Sequence, residues 1–156
     1  MKKTLLVLGA GIDQTYPIIV AQQSGLRVLA ADSNPNAQGF SIADEVANVS
    51  NRDVDGLKAL CDESARFGNS IEGILVMGTD IPDVAAELAL YLKIPGPSIY
   101  TGKSTTDKFI MKEILSQNGI AVPWYALVEN FDSLRNLMLK HKGNKFVIKP
   151  TDRSGA

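Results

Sequence analysis

The sequence is poor in the residues that carry most nucleophilic and metal chemistry: it has one cysteine, Cys61, and one histidine, His141. A single cysteine excludes an internal disulfide bond and is typical of a protein from a reducing compartment. Cys61 lies among apolar residues, which predicts a buried structural side chain rather than a nucleophile. No histidine, cysteine, aspartate and glutamate residues cluster with the spacing of metal ligands. We therefore predict neither a catalytic residue nor a metal site within this sequence.

Long hydrophobic runs and a strong net charge are also absent. The apolar run at residues 5–8 is too short for a signal peptide, because Asp13 and Gln14 follow soon after it. No stretch approaches the roughly 20 apolar residues of a membrane-spanning helix. The formal net charge of −1 creates no field that would draw the protein to nucleic acid or to an anionic membrane. These features predict a cytoplasmic protein with no nucleic-acid or membrane partner.

Strand-like apolar runs alternate with helical patterns over residues 1–97. The runs predict strands and the patterns predict helices as follows: strands at 5–8, 27–31, 45–49 and 73–77, and helices at 13–24, 54–67 and from 81 onward. Strict alternation predicts right-handed crossovers and an α/β fold with a doubly wound parallel sheet, similar to a Rossmann domain. In such a fold the ligand crevice lies at the carboxyl ends of the strands.

Three short segments are predicted to meet at that crevice. Gly9 and Gly11 form a turn that would let a ligand approach the start of the next helix, where free N–H groups favour an anion. Gln14 stands where a dinucleotide-binding motif has its third glycine, so a plain tight turn fits the pattern equally well. Asp32 ends the second strand, and a role in stabilising the following turn is favoured over ribose binding. Thr79 or Asp80 is predicted to cap the next helix, with substrate contact as an additional role.

The pattern changes after the Pro- and Gly-rich residues 94–98, which mark a candidate boundary. A helix is predicted over 104–118, a strand over 124–128, a helix over 131–141 and a strand over 145–148. Lys108 lies early in the first helix, Lys149 ends the last strand, and a loop of small residues begins at Ser154 and Gly155. A lysine at a strand end beside such a loop suits the binding of a polyphosphate. This region is too small to cover both its faces and is predicted to belong to a second domain.

The order of these segments resembles the ATP-grasp superfamily, which includes carbamoyl phosphate synthase, biotin carboxylase and ligases of purine biosynthesis. The resemblance rests on five stretches of the sequence: residues 28–35, 96–98, 107–112, 118–123 and 146–150. Residues 1–97 resemble the α/β domain that precedes the ATP-grasp fold. The resemblance implies that 98–123 form a connecting helical segment and that 124–156 form an incomplete first part of the ATP-grasp domain.

The resemblance also implies roles for particular residues. Lys108 and Lys149 match the two lysines that contact the phosphates of ATP, and Ser154 and Gly155 match the start of the glycine-rich loop that closes over it. The acceptor substrate would meet the crevice residues, namely Gly9, Gly11, Gln14, Thr79 and Asp80. In the family, the residues that hold adenine and two Mg²⁺ ions lie further along the chain. ATP and Mg²⁺ are therefore expected for the complete enzyme, and no ligase activity is expected from this portion alone.

Two other functions fit parts of the sequence. Gly9, Gly11 and Asp32 would suit a nicotinamide-dinucleotide-binding domain of an oxidoreductase, although Gln14 argues against it. A non-catalytic binding or assembly module with the same fold is the other alternative, because a fold does not determine a function. For the ligase, the expected partner is a small-molecule carboxylate, and formation of a homodimer is left open.

Overall fold

The computed structural model describes residues 3–141 and 145–152 of the 156-residue chain. The chain divides into two compact units, residues 1–103 and 104–156, which are treated separately below. Ser154 and Gly155, which the family resemblance assigns to a phosphate-binding loop, lie outside the described residues. Within the described ranges, every helix is too short or too polar to span a lipid bilayer.

The first unit is built on a four-stranded parallel sheet with the strand order β3-β2-β1-β4. Its strands are β1 (Thr4–Leu8), β2 (Arg27–Ala31), β3 (Glu45–Ala47) and β4 (Ile71–Val76). Its helices are α1 (Ile12–Gln23), α2 (Val54–Arg66), α3 (Pro82–Leu92) and the start of α4 (Ile99–Thr106), and a short 3₁₀ turn covers Gln38–Ser41. The predicted α/β fold with a parallel sheet is confirmed.

The core lies on both faces of this sheet because successive side chains of a strand point in opposite directions. On one face, Leu6 and Leu8 of β1 pack with residues of α2, of α3 and of the position just before α3, namely Leu57, Cys61, Ile81, Val84 and Leu88. On the other face, Val7 packs with Ile18 and Ala21 of α1. Cys61 is 2% exposed, in accord with its predicted structural role. Burial on both faces explains why β1 and β2 are continuous apolar runs.

Helix α3 does not begin where the sequence suggested, and the prediction that Thr79 or Asp80 caps it is wrong. The helix starts at Pro82, and Ile81 occupies the capping position without a side-chain hydrogen bond. Proline at the first helical position explains this start, because its φ angle is already helical and its missing N–H would have no partner there.

The helix predicted over 104–118 is two helices, α4 and α5 (Lys108–Gln117). Asp107 separates them: its backbone is extended, and its carboxylate accepts hydrogen bonds from the N–H groups of Phe109 at 2.8 Å and Ile110 at 3.0 Å. An aspartate in this position satisfies donors that the first turn of a helix leaves unpaired, so it starts a new helix and ends the previous one.

The second unit contains α5 and α6 (Phe131–Lys140), and α6 begins with a capping box between Asn130 and Ser133. The strands predicted at 124–128 and 145–148 are absent; the chain there is irregular. A strand needs a hydrogen-bonded neighbour, and no described residue pairs with either segment. Val147 and Ile148 are accordingly 80% and 63% exposed, and neither α5 nor α6 has a buried residue.

Candidate functional site

The carboxamide of Gln14 packs at the carboxyl edge of the sheet in the first unit, where the sequence predicts the ligand crevice. Gln14 is only 5% exposed, and it lies between the turn that follows β1 and the turn that follows β4. A Cβ atom added to Gly9 would lie 3.4 Å from Gln14 Cδ, one added to Gly11 would lie 3.2 Å from Oε1, and one added to Gly78 would lie 3.1 Å from Nε2. The glycines therefore give the glutamine the space it occupies.

A hydrogen bond ties Gln14 to the end of β4: its Nε2 donates to the carbonyl oxygen of Met77. Because Met77 follows β4 and Gln14 belongs to the first turn of α1, this bond joins two neighbouring strand ends of the sheet. The structure thus brings Gly9, Gly11 and Gln14 together, with the segment that leads to Thr79 beside them. In a dinucleotide-binding turn a third glycine would leave this space open.

Asp32 has a structural role in the turns around it. One carboxylate oxygen accepts a hydrogen bond from the N–H of Ala10 at 2.8 Å, and the other accepts from the N–H of Asn34 at 2.8 Å. Both oxygens are thereby engaged with the backbone, which gives the arrangement predicted for a turn-stabilising residue. No oxygen of this carboxylate is left without a backbone partner, so the structure does not favour ribose binding by Asp32.

Thr79 and Asp80 lie after β4 at the same edge of the sheet. The hydroxyl oxygen of Thr79 is buried and has no hydrogen-bond partner among the residues that the structure describes. Asp80 is exposed, and its carbonyl oxygen accepts a hydrogen bond of 3.4 Å from Arg52 Nη2. Sequence reasoning missed Arg52, whose position soon after β3 is the one signal that it reaches the same edge.

The second unit contains a cavity of about 540 Å³ that is lined by both Lys108 and Lys149. Lys108 is the first residue of α5, and its N–H donates a 2.9 Å hydrogen bond to the carbonyl oxygen of Thr151. This bond joins the start of α5 to the segment that carries Lys149. The two cationic side chains singled out from the sequence therefore share one cavity.

Lys112 lines the same cavity but is engaged with an aromatic ring. Its Nζ lies 5.4 Å from the centroid of the Tyr125 ring, within the range of a cation–π interaction. The Tyr125 hydroxyl donates a 2.5 Å hydrogen bond to Glu113, which raises the pKa of Tyr125 because the carboxylate stabilises the protonated phenol. Lys112 therefore has a local structural partner, whereas Lys149 forms no ion pair with a described residue.

Aromatic side chains form another part of the cavity wall, which the sequence pattern does not predict. Trp124 and Phe146 line the cavity, with ring centroids 6.0 Å apart. The ring of His141 lies 4.6 Å from that of Trp124, so the one histidine packs in an aromatic cluster. In the described part of the chain, no three His, Cys, Asp or Glu side chains are grouped so that they could hold a metal ion.

Comparison with known proteins shows which enzymes this chain is similar to. No protein-family profile matches the chain. It is 25% identical over 152 residues to a formate-dependent phosphoribosylglycinamide formyltransferase from Burkholderia thailandensis, a match covering 94% of this chain and 35% of that protein. It is also similar to the crystal structure of N5-carboxyaminoimidazole ribonucleotide synthetase from Thermotoga maritima. That match has a TM-score of 0.63 and 25% identity, and it covers 88% of this chain and 36% of the synthetase.

A second similar structure is the biotin carboxylase domain dimer of 2-oxoglutarate carboxylase from Hydrogenobacter thermophilus, in complex with MgADP, ADP and bicarbonate. Its TM-score is 0.63 at 20% identity, with 90% of this chain and 33% of that chain covered. The chain thus spans about a third of the length of each protein compared. These proteins are ATP-grasp enzymes, and the comparisons confirm the resemblance to the N-terminal portion of that superfamily.

Proposed function

We propose that the chain is the N-terminal portion of an ATP-dependent ligase that activates a carboxylate as an acylphosphate for attack by an amine or a related nucleophile. The observation that carries the proposal is the shared cavity of Lys108 and Lys149 in the second unit. In this proposal residues 1–97 form the domain before the ATP-grasp fold, and residues 124–156 form the first part of the ATP-grasp domain. Residues 98–123 form the helical segment that connects the two. Ser154 and Gly155 would begin its phosphate-binding loop.

The cavity suits a nucleotide in size and chemistry. Its volume of about 540 Å³ lies within the range of small-molecule sites, which combine apolar walls with a few polar groups. Trp124 and Phe146 supply apolar ring surface, and Lys108 and Lys149 supply positive charge. When bound, ATP supplies the phosphoryl group that the carboxylate accepts. The two ammonium groups would hold the phosphates and offset their negative charge as that transfer proceeds.

The complete enzyme is proposed to use Mg²⁺ as well, in keeping with the MgADP in the related biotin carboxylase domain. Among the residues that the structure describes, no three His, Cys, Asp or Glu side chains are grouped around a possible metal position. The family resemblance places the Mg²⁺ ligands further along the chain, and we expect the chain alone to bind nucleotide weakly without catalysing ligation.

The crevice of the first unit is proposed to bind the acceptor substrate, a small molecule. The residues assigned to it are Gly9, Gly11, Gln14, Thr79 and Asp80. Support comes from the position of these residues at the carboxyl edge of a parallel sheet and from the buried hydroxyl of Thr79, which a ligand or water would satisfy. We also propose that the protein is cytoplasmic and that it assembles as a homodimer. Light scattering tests the dimer, and a single species of 16.8 kDa would exclude it.

Titration of the ¹⁵N-labelled chain with ADP, followed by NMR, tests the nucleotide site. We expect saturable shifts of the backbone amides of Lys108 and Lys149. Replacing either lysine with alanine should weaken ADP binding about tenfold, since a hydrogen bond to a charged group is involved. Lys140→Ala is the matched control, because Lys140 belongs to the same unit but does not line the cavity. If all three variants bind ADP like the parent chain, the phosphate roles are wrong.

A further inference from the structure

We propose that Asn118 is a site of spontaneous covalent modification whose rate is controlled by the folded end of helix α5. Asn118 is followed by Gly119, and both residues are exposed. They lie in the segment that connects the two proposed domains, where the proposed function assigns no chemistry to any side chain. When the end of α5 opens, the carboxamide of Asn118 reacts with the backbone nitrogen of Gly119.

The modification needs no reactant other than water. The Gly119 nitrogen attacks Cγ of Asn118, so that a new N–Cγ bond forms and the Cγ–Nδ2 bond breaks. Nδ2 leaves as ammonia and carries away the proton that the Gly119 nitrogen loses. Water then opens the resulting five-membered imide ring: attack at Cγ gives aspartate, and attack at the backbone carbonyl carbon gives isoaspartate, in which the main chain runs through Cγ. Glycine favours ring closure because it has no side chain beside its nitrogen.

In the folded chain, hydrogen bonds hold the two reacting groups apart. Nδ2 of Asn118 donates a 2.8 Å hydrogen bond to the carbonyl oxygen of Ile114, which turns the carboxamide back along α5. The N–H of Gly119 donates a 3.0 Å hydrogen bond to the carbonyl oxygen of Ser116. The attacking nitrogen and the group it would attack are thus engaged with different partners, and both bonds must break before the ring closes.

The backbone angle at Asn118 also prevents ring closure. Its ψ angle is 15°, so the Gly119 nitrogen nearly eclipses the backbone nitrogen of Asn118 and is turned away from Cβ and Cγ. Ring closure requires a rotation about ψ that brings the Gly119 nitrogen to the side of Cβ. That rotation would break the cap of α5, in which Gly119 has a φ angle of +74° and the N–H of Ile120 donates a 3.0 Å hydrogen bond to Leu115. The reaction therefore follows opening of the helix end.

Either product weakens the end of α5, so the change is not reversed when the helix closes again. Aspartate places a negative charge at a helix C-terminus, where the helix dipole disfavours it, and it has no N–H to donate to the Ile114 carbonyl oxygen. Isoaspartate lengthens the main chain by one methylene group and moves Gly119 and Ile120 away from their acceptors. The variant Asn118→Asp reproduces the first product and should raise the unfolding equilibrium constant of the second unit about fivefold.

One tryptic peptide, residues 113–135, contains both Asn118 and an internal control, Asn130. Asn130 precedes Phe131, whose side chain crowds the attacking nitrogen. We expect mass spectrometry of the chain incubated in guanidinium chloride at mildly alkaline pH to find aspartate and isoaspartate at position 118 and little change at Asn130. In the folded chain the reaction at Asn118 should be about thirtyfold slower, which is the effect of two hydrogen bonds.

The variant Gly119→Ala, measured in guanidinium chloride where folding plays no part, should slow the reaction at Asn118 several-fold. Equal rates for the folded and the unfolded parent chain would overturn the control by α5. No reaction at Asn118 in the unfolded chain, or a reaction of equal rate at Asn130, would overturn the site itself.

Discussion

The backbone N–H of Lys108 donates a 2.9 Å hydrogen bond to the carbonyl oxygen of Thr151. Lys149 precedes Thr151 by two residues, so this bond fixes the start of α5 beside the segment that carries the second lysine. Asp107 immediately precedes Lys108 and ends the preceding helix by capping α5. The position of both lysines in one cavity therefore depends on where α5 begins.

Removal of this cap should loosen the cavity. We expect Asp107→Ala to lower the free energy of unfolding of the second unit by about 1 kcal/mol, because the N–H groups of Phe109 and Ile110 lose their acceptor. Urea unfolding followed by the fluorescence of Trp124, the one tryptophan of the sequence, measures this loss. Asp107→Asn keeps a capping oxygen and should remain close to the parent chain. An equal loss in both variants would show that charge, and not capping, is the important property.

Gly78 should tolerate alanine less well than a glycine with a similar backbone but open surroundings. Its φ angle is +69°, and an added Cβ would lie 3.1 Å from Gln14 Nε2. Gly25 has a φ angle of +84° with nothing within 4 Å of such a Cβ, so Gly25→Ala measures backbone strain alone, about 1 kcal/mol. Thermal unfolding followed by circular dichroism should show a larger loss for Gly78→Ala. Equal losses would mean that Gln14 moves aside without cost.

The substitution Gln14→Glu should destabilise the first unit in a pH-dependent way. Near neutral pH the carboxylate is a buried acceptor facing the Met77 carbonyl, and such a mismatch costs about 1–3 kcal/mol. Burial raises the folded-state pKa of this carboxyl above its unfolded value, so the protonated acid is favoured in the folded state. The stability deficit relative to the parent should therefore be small below about pH 4 and grow as the pH rises through the raised pKa.

Melting temperatures of the parent and the Glu variant, measured between acidic and neutral pH, test this expectation. Gln14→Met provides the control, because a neutral side chain loses the hydrogen bond to Met77 at every pH. A deficit of Gln14→Glu that does not change with pH would argue that residue 14 is open to water.

Cys61 should react slowly in the folded protein. Burial, and secondarily the negative charge of Asp62, raise the pKa of the Cys61 thiol to about 11. Relative to the ordinary value of 9.0, this leaves about 100-fold less thiolate at pH 8, and the thiolate is the reactive form. Iodoacetamide should label the native chain at least that much more slowly than the urea-unfolded chain.

The same shift links stability to alkaline pH. Because the folded-state pKa is raised, the contribution of the neutral thiol is present below about pH 9 and is lost as the pH rises towards 11. Asp62→Asn removes the smaller of the two causes and should increase the labelling rate only modestly. Rapid labelling of the native parent chain would contradict the burial of Cys61.

The sequence predicted the sheet of the first unit because burial on both faces leaves a direct trace, as in the apolar runs of β1 and β2. The predicted start of α3 was wrong because Pro82, at the first helical position, sets that start. The break before α5 was not predicted because an aspartate such as Asp107 can stand within a helix or cap one. The strands predicted at 124–128 and 145–148 failed because a strand depends on a neighbour that no local pattern reveals.

The candidate site, like the fold, was predicted from the sequence only in part. The order of short motifs singled out Lys108 and Lys149, which share a cavity. The packing of Gln14 against the end of β4 could not be anticipated, since its partners Gly78 and Met77 lie more than 60 residues away in the sequence. Contacts that cross between strand ends appear only when the register of the sheet is known.

The position of β1 in the middle of the sheet constrains how the first unit folds during synthesis. One neighbour of β1 is β2, which follows soon after it, but the other is β4, where Ile71 pairs with Thr4. About 70 residues must therefore leave the ribosome before the earliest strand has both of its partners, and such distant pairing is slow. Until then one edge of β1 stays unpaired, and an unpaired apolar edge exposes the nascent chain to aggregation.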